Sequence, residues 1–204
     1  VDAALADELD KNFRNVLQDR LNEVKQKPLP YKPQKIEGEW EKLRWAKSED
    51  FDKSPDTGIK QTTFDKVGKA LTTIPEGFKP LKQIEKLLKD RKTAFFEGKV
   101  LGWAEAELLA YGSVLVDGSI VRMSGQDVKR GTFSHRHAYF FDANTNEPYC
   151  GLNNIEGAKI KLNIFNSLLS EFGVLGFEYG YDMSTPSALV IWEAQFGDFV
   201  NGAQ

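Results

Sequence analysis

Residues 161–192 read KLNIFNSLLSEFGVLGFEYGYDMSTPSALVIW, and this run decides the fold. Lys161–Phe165 has the texture of a strand, and Ala188–Trp192 is a second, compact apolar strand. Between them Leu168–Tyr179 predicts a helix with the small residues Gly173 and Gly176 on its surface. Strand, helix and strand in that order predict an α/β domain with a mostly parallel sheet and flanking helices.

The same alternation extends upstream. Trp103–Val116 is apolar, rich in Ala and Leu, and reads as a helix; Ser119–Met123 reads as a short strand. His137–Phe141 followed by the Asp142–Glu147 turn suggests a hairpin or strand–loop unit. Before about Gly102 the texture differs. Leu5, Leu9, Phe13, Val16, Leu17, Leu21 and Val24 recur at three- and four-residue steps, one face of an amphipathic helix with Asp2 as its N-cap. Pro28, Pro30 and Pro33 end that helix by removing backbone donors and restricting their predecessors. Residues 34–61 mix charges with Trp40, Trp45 and Phe51 and predict an irregular connector held down by aromatic anchors. Helices over Phe64–Leu71 and Leu81–Phe96 follow, parted by the Pro75-Glu76-Gly77 turn. The expected division is a helical, Pro- and charge-rich connector over 1–97 and an α/β domain over 98–204.

Composition narrows the function. At 41% apolar and 28% charged residues, the 204-residue chain can bury a core and keep a soluble surface. A net charge of −3 gives no general pull toward nucleic acid or anionic lipid, so neither is expected as a partner. No apolar run reaches the roughly 18–20 residues of a membrane span, and no signal-peptide pattern opens the chain. The single cysteine, Cys150, excludes an intrachain disulfide, fits a reducing compartment and reads as a buried, inert thiol. The chain begins at Val1 without a methionine and stops at Gln204 just after an aromatic stretch, as an internal piece of a larger polypeptide would.

Few constellations carry chemistry by themselves. Only His135 and His137 are present, two apart around Arg136, and a zinc site needs three or four ligands, so no metal site is expected. There is no Walker-type loop and no Gly-x-Gly-x-x-Gly. The Gly125–His137 loop, with Gln126, Asp127, Lys129 and Arg130, follows a strand, where α/β folds bind ligands. Glu171 starts a helix after Ser167 and Ser170; a carboxylate there is commonly a dipole-complementing cap. Asp198, between Phe196 and Phe199, is equally ambiguous.

Three runs change that balance: GWAEAELLAYGSVLVDGSIVRMSGQDVKRGTFSHRHAYF, NSLLSEFGVLGFEYGYD and LVIWEAQFGDFVNGAQ. Together they cover nearly all of residues 102–204 and resemble the transketolase-like pyrimidine-binding domain of the decarboxylating first component of 2-oxoglutarate dehydrogenase complexes. Residues 1–97 resemble the same family more loosely, around TTIPEGF. The resemblance implies that Glu171 hydrogen-bonds the pyrimidine ring nitrogen of thiamine diphosphate and favours the imino tautomer that deprotonates the thiazolium carbon. Phe199 matches the aromatic that stacks on the pyrimidine, with Phe196 the neighbouring alternative; Gln126, Asp127, Arg130, His135 and His137 match an active-site loop, with His137 preferred as catalytic.

The family holds the diphosphate and magnesium through an upstream Gly-Asp-Gly motif, which this chain lacks, and its pyrimidine domain continues past the equivalent of Gln204. The resemblance therefore implies a half-site, truncated and silent alone, completed by a second subunit of a homodimer. It also implies 2-oxoglutarate as substrate, with a 2-oxoadipate-preferring relative as an alternative. A lipoyl-bearing succinyltransferase is the implied partner, in the citric acid cycle of a bacterial cytoplasm or a mitochondrial matrix. A rival from another class is an assembly module without chemistry, whose stripe over Leu5–Val24 needs a partner surface.

Overall fold

The computed structural model describes residues 2–27, 36–98 and 100–196. Its contacts divide the chain into two compact units, 1–41 and 42–204. In the first, α1 spans Ala3–Gln26, and the Asp2 side chain caps it by accepting a hydrogen bond from the Ala4 N–H at 3.1 Å. The stripe from Leu5 to Val24 lies on α1 and is exposed throughout, between 47% and 63% for each large apolar side chain. The three prolines expected to end the helix lie outside the described residues.

In the second unit, a short 3-10 turn at Ser48–Phe51 is held by Arg44, which donates from both terminal nitrogens to the Asp50 carboxylate. Two of the three aromatic anchors expected in the connector do not form: Trp45 is 92% and Phe51 80% exposed. Helices α2 (Gln61–Thr72) and α3 (Lys82–Lys92) follow, the latter running on into a π-turn at Thr93–Gly98. Helix α4 occupies Trp103–Val116, where the sequence places it. The boundary expected at 97/98 falls inside this larger unit. Val67, Leu71 and Phe95 share one core with Leu108, Leu115, Val121 and Met123.

Three parallel strands build the sheet in the order β4 (Asn163–Asn166), β1 (Val121–Gly125), β5 (Leu189–Glu193). Met123 pairs with Ile164 on one side and Ile191 on the other. Side chains alternate across a strand, and β1 divides its residues accordingly. Val121 and Met123 enter the core with α4, whereas Arg122 points to α5 (Glu171–Ser184), where it meets Glu178. The strand–helix–strand unit read from 161–192 is thus β4–α5–β5, with α5 beginning at Glu171 instead of Leu168. Ser170 is extended (φ −162°, ψ 83°), and the Ser167 N–H donates to the Gly125 carbonyl at 2.8 Å, so 167–170 form a loop across the strand ends.

The expected hairpin forms between β2 (Phe140–Phe141) and β3 (Pro148–Tyr149). Its turn closes on Asp142, whose carboxylate accepts from the N–H groups of Lys79, Asn144 and Thr145 at 2.6, 2.8 and 3.0 Å. Those donors pull its pKa down to about 2. Cys150 beside the hairpin is 4% exposed, and burial pushes its thiol up to about 11, as an inert side chain requires. Among the described residues no helix is long and apolar enough to cross a membrane.

Candidate active site

Parallel strands present their carboxyl ends along one edge, where backbone groups lose their ladder partners and loops can gather polar side chains. Here β1 ends at Gly125, β4 at Asn166 and β5 at Glu193, and a candidate segment follows each. The Gln126–His137 loop leaves β1, Ser167–Glu171 leaves β4, and Gln195–Phe196 leaves β5. Cross-links tie the three together. Gln126 donates from Nε2 to Glu171 Oε1 at 2.6 Å, Lys129 N–H donates to Asn166 Oδ1 at 3.0 Å, and Gln195 Nε2 donates to the Gln126 carbonyl at 3.3 Å. Glu171 is partly exposed at this edge.

The backbone is strained where these segments meet. Among the described residues five non-glycines have positive φ: Asp127, Ser134, His137 and Phe196 at this edge, and Asn146 in the hairpin turn. Four of the five thus cluster at the candidate site, the concentration expected where side-chain placement outweighs local comfort. Asp127 and Arg130 pair within the loop (Nε to Oδ2 2.9 Å), and Arg130 also donates to Ser134 Oγ. Gly131, at φ +85°, has no room for a side chain, because the His135 ring lies where a Cβ would stand, its Nδ1 2.6 Å away.

The two histidines have different surroundings. His135 Nδ1 is buried without a hydrogen-bond partner. Burial first, and then the positive charges of Arg91 and Arg130, hold His137 below its ordinary pKa, which favours the neutral imidazole. Phe133 stands edge-on to Phe196 at 5.5 Å between ring centroids and 6.5 Å from the His135 ring. Phe133 and Phe196 are 72% and 81% exposed, an open aromatic pair beside the polar edge. Phe199 and Asp198 lie outside the described residues.

The residue that sequence reasoning passed over is Arg136. The His-Arg-His run lies in the loop that the sequence places there, and within it Arg136 turns inward to complete burial (0% exposed). All five of its N–H donors are used. Nε donates to Glu107 Oε1 at 2.5 Å, Nη2 to Glu107 Oε2 at 3.1 Å, Nη1 to the Val128 carbonyl at 2.8 Å and to Glu193 Oε1 at 3.0 Å, and Nη2 also to Glu193 Oε2. Glu107, His135 and Glu193 offer ligand atoms within 4.8 Å of one another, but the guanidinium already neutralises both carboxylates, and we assign no metal there. The only sequence signal for this cluster was an arginine flanked by polar residues. Its partners are 29 and 57 positions away, beyond any local pattern.

A three-stranded parallel sheet with helices on both faces, and a carboxylate, an amide and an aromatic pair at its carboxyl edge, is the build of a cofactor-binding α/β domain. Residues 99–204 match the family described as the transketolase pyrimidine binding domain, and the chain belongs to that family. It is similar to the 2-oxoglutarate dehydrogenase E1 component of Brucella anthropi, 45% identical over 177 residues that make up 85% of this chain and 18% of that protein. It is likewise similar to the mitochondrial 2-oxoglutarate dehydrogenase of Dictyostelium discoideum, 52% identical over 153 residues, 72% of this chain and 15% of the relative. The Brucella ovis E1 component is 44% identical over 177 residues. The chain thus spans less than a fifth of the length of these relatives.

Proposed function

We propose that this chain provides the pyrimidine-side half of a thiamine diphosphate site in a 2-oxoglutarate dehydrogenase of the succinyl-transferring kind. The observation that carries the reading is the Gln126–Glu171 hydrogen bond of 2.6 Å at the carboxyl ends of β1 and β4. A carboxylate serving only as a helix cap would turn to its own first-turn N–H groups. Glu171 instead gives Oε1 to a side chain of the loop leaving β1, which fixes the carboxylate plane and leaves Oε2 to meet a ring nitrogen. The donor set fits a pyrimidine: a carboxylate for the ring nitrogen, a neutral imidazole at His137, and the exposed ring of Phe196 for a stacking face.

Thiamine diphosphate, when bound, supplies the nucleophilic carbon and the electron sink for decarboxylation of a 2-oxo acid. The roles of the chain's own residues follow. Glu171 Oε2 holds and moves a proton at the ring nitrogen, and Gln126 keeps Glu171 in line. His137 takes or gives a proton on the substrate side, with His135 beside it. Arg130 and Asp127 brace the loop at the cofactor. Phe199, or Phe196 next to it, stacks on the pyrimidine. The diphosphate and its magnesium belong to a Gly-Asp-Gly region that this sequence does not contain. In this reading residues 98–204 form the pyrimidine domain and 1–97 its connector, a second subunit of a homodimer completes the site, and a lipoyl-bearing succinyltransferase receives the succinyl group. The setting is a bacterial cytoplasm or a mitochondrial matrix. The exposed stripe of α1 supports a docking role for the connector beside this function.

The test compares two proteins supplied with thiamine diphosphate and magnesium. The full-length protein carrying this chain should release carbon dioxide from 2-oxoglutarate faster than from 2-oxoadipate, and lose that activity when the cofactor is removed. The 204-residue chain alone should release none. Cofactor-independent turnover by the full-length protein would sink the reading, and turnover by the isolated chain would sink the half-site.

A further inference from the structure

We infer that Arg136 is the positioning residue of this site, the part that fixes the loop leaving β1 against the end of β5 and against α4. The inference rests on the proposed function above. Arg136 belongs to the loop leaving β1, its partner Glu193 ends β5, and its partner Glu107 lies on α4. One buried guanidinium therefore joins the loop that carries Gln126, His135 and His137 to the strand end that leads to Phe196. A planar fork with five donors can hold two carboxylates and a carbonyl together; a lysine in its place, with three donors on a flexible stem, cannot.

The backbone of Arg136 is held as firmly as its side chain. Its carbonyl accepts from Arg91 Nη2 at 2.5 Å, and Arg91, on α3, is itself 1% exposed with its guanidinium 5.8 Å from the Phe140 ring centroid. The Arg136 and His137 N–H groups both donate to the Arg130 carbonyl at 2.9 Å. His137 then leaves this anchored residue at φ +38°, a conformation that a loosely held residue would abandon. Gly125 completes the arrangement. At φ +151° it lies so close to the Glu193 carbonyl that any Cβ would collide with it, which keeps the ends of β1 and β5 in contact. Buried ion pairs contribute little net stability once desolvation is counted. What a fully satisfied guanidinium contributes here is a single geometry.

Arg136→Lys and Arg136→Ala in the full-length protein test this. Misplacing a reacting group by about 1 Å costs on the order of 10²-fold in rate. Both variants should therefore lose about that factor in kcat at saturating cofactor and 2-oxoglutarate, with KM changed far less. A second readout uses the cofactor-free protein. Amide exchange of residues 126–138 and 193–196 should quicken in Arg136→Ala while α2 and β4 stay protected. Millimolar guanidinium should reverse that change and recover kcat; ammonium at the same ionic strength should do neither. Wild-type kcat in either variant overturns the inference, as does exchange that rises equally through α2 and β4 without guanidinium rescue. If wild-type protein fails to decarboxylate 2-oxoglutarate, the functional reading falls, but the cofactor-free exchange still decides whether Arg136 positions this edge.

Discussion

Glu171→Gln in the full-length protein should lower turnover of 2-oxoglutarate by at least ~10²-fold, the usual contribution of a positioned proton-transfer group. The substitution preserves shape and leaves Gln126 a side-chain oxygen to donate to, so the loop and strand ends stay in place. What disappears is the carboxylate that can gain a proton at the ring nitrogen. Steady-state kinetics at saturating cofactor, with thermal melting as the control for folding, makes the measurement. Near-wild-type turnover would return Glu171 to the role of an acid at the start of α5, where its charge merely complements the helix dipole.

The largest effect on stability should come from the opposite face of β1. Arg122 Nε donates to Glu178 Oε2 at 2.7 Å and Nη2 to Oε1 at 2.9 Å, with side chains 15% and 4% exposed. The guanidinium carbon also lies 4.5 Å from the Tyr181 ring centroid, 4.9 Å from that of Phe165 and 5.3 Å from that of Phe177. Glu178→Ala removes one partner and strands the other against three aromatic faces. Breaking such a pair costs about 3–5 kcal/mol, whereas replacing both partners with apolar residues of similar volume is close to neutral. Urea denaturation should therefore show a large loss for Glu178→Ala and most of it regained in Arg122→Met/Glu178→Leu. A loss below about 1 kcal/mol in the single variant would mean that Arg122 swings into solvent and behaves as a surface pair does.

How much could be read in advance depended on the range of the interaction. Helix α4 was legible end to end because its apolar composition, rich in the strong helix formers Ala and Leu, is local to Trp103–Val116. The β4–α5–β5 unit was legible in type but not in its first boundary. Leu168 and Leu169 look helical by composition, yet they sit 84% and 81% exposed in a loop pinned by the Ser167–Gly125 hydrogen bond. Trp45 and Phe51 misled in the other direction, since aromatic residues among charges suggest anchoring and these find no core. In the sequence only the LLSEFGVLGFEYGY resemblance argues for Glu171 as more than an ordinary cap; its contact with Gln126 spans 45 positions. The Arg136 clamp was illegible for the same reason, being made by tertiary pairing that no periodicity encodes.

The central claim is that the carboxyl edge of this sheet receives the pyrimidine of thiamine diphosphate, and hydrogen exchange tests it most directly. With the cofactor and magnesium added to the full-length protein, amides of residues 125–137 and 168–176 should exchange more slowly, while those of α1, residues 3–26, should not change. Unchanged exchange at 125–137 and 168–176 under saturating cofactor, or protection confined to residues 3–26, would contradict it.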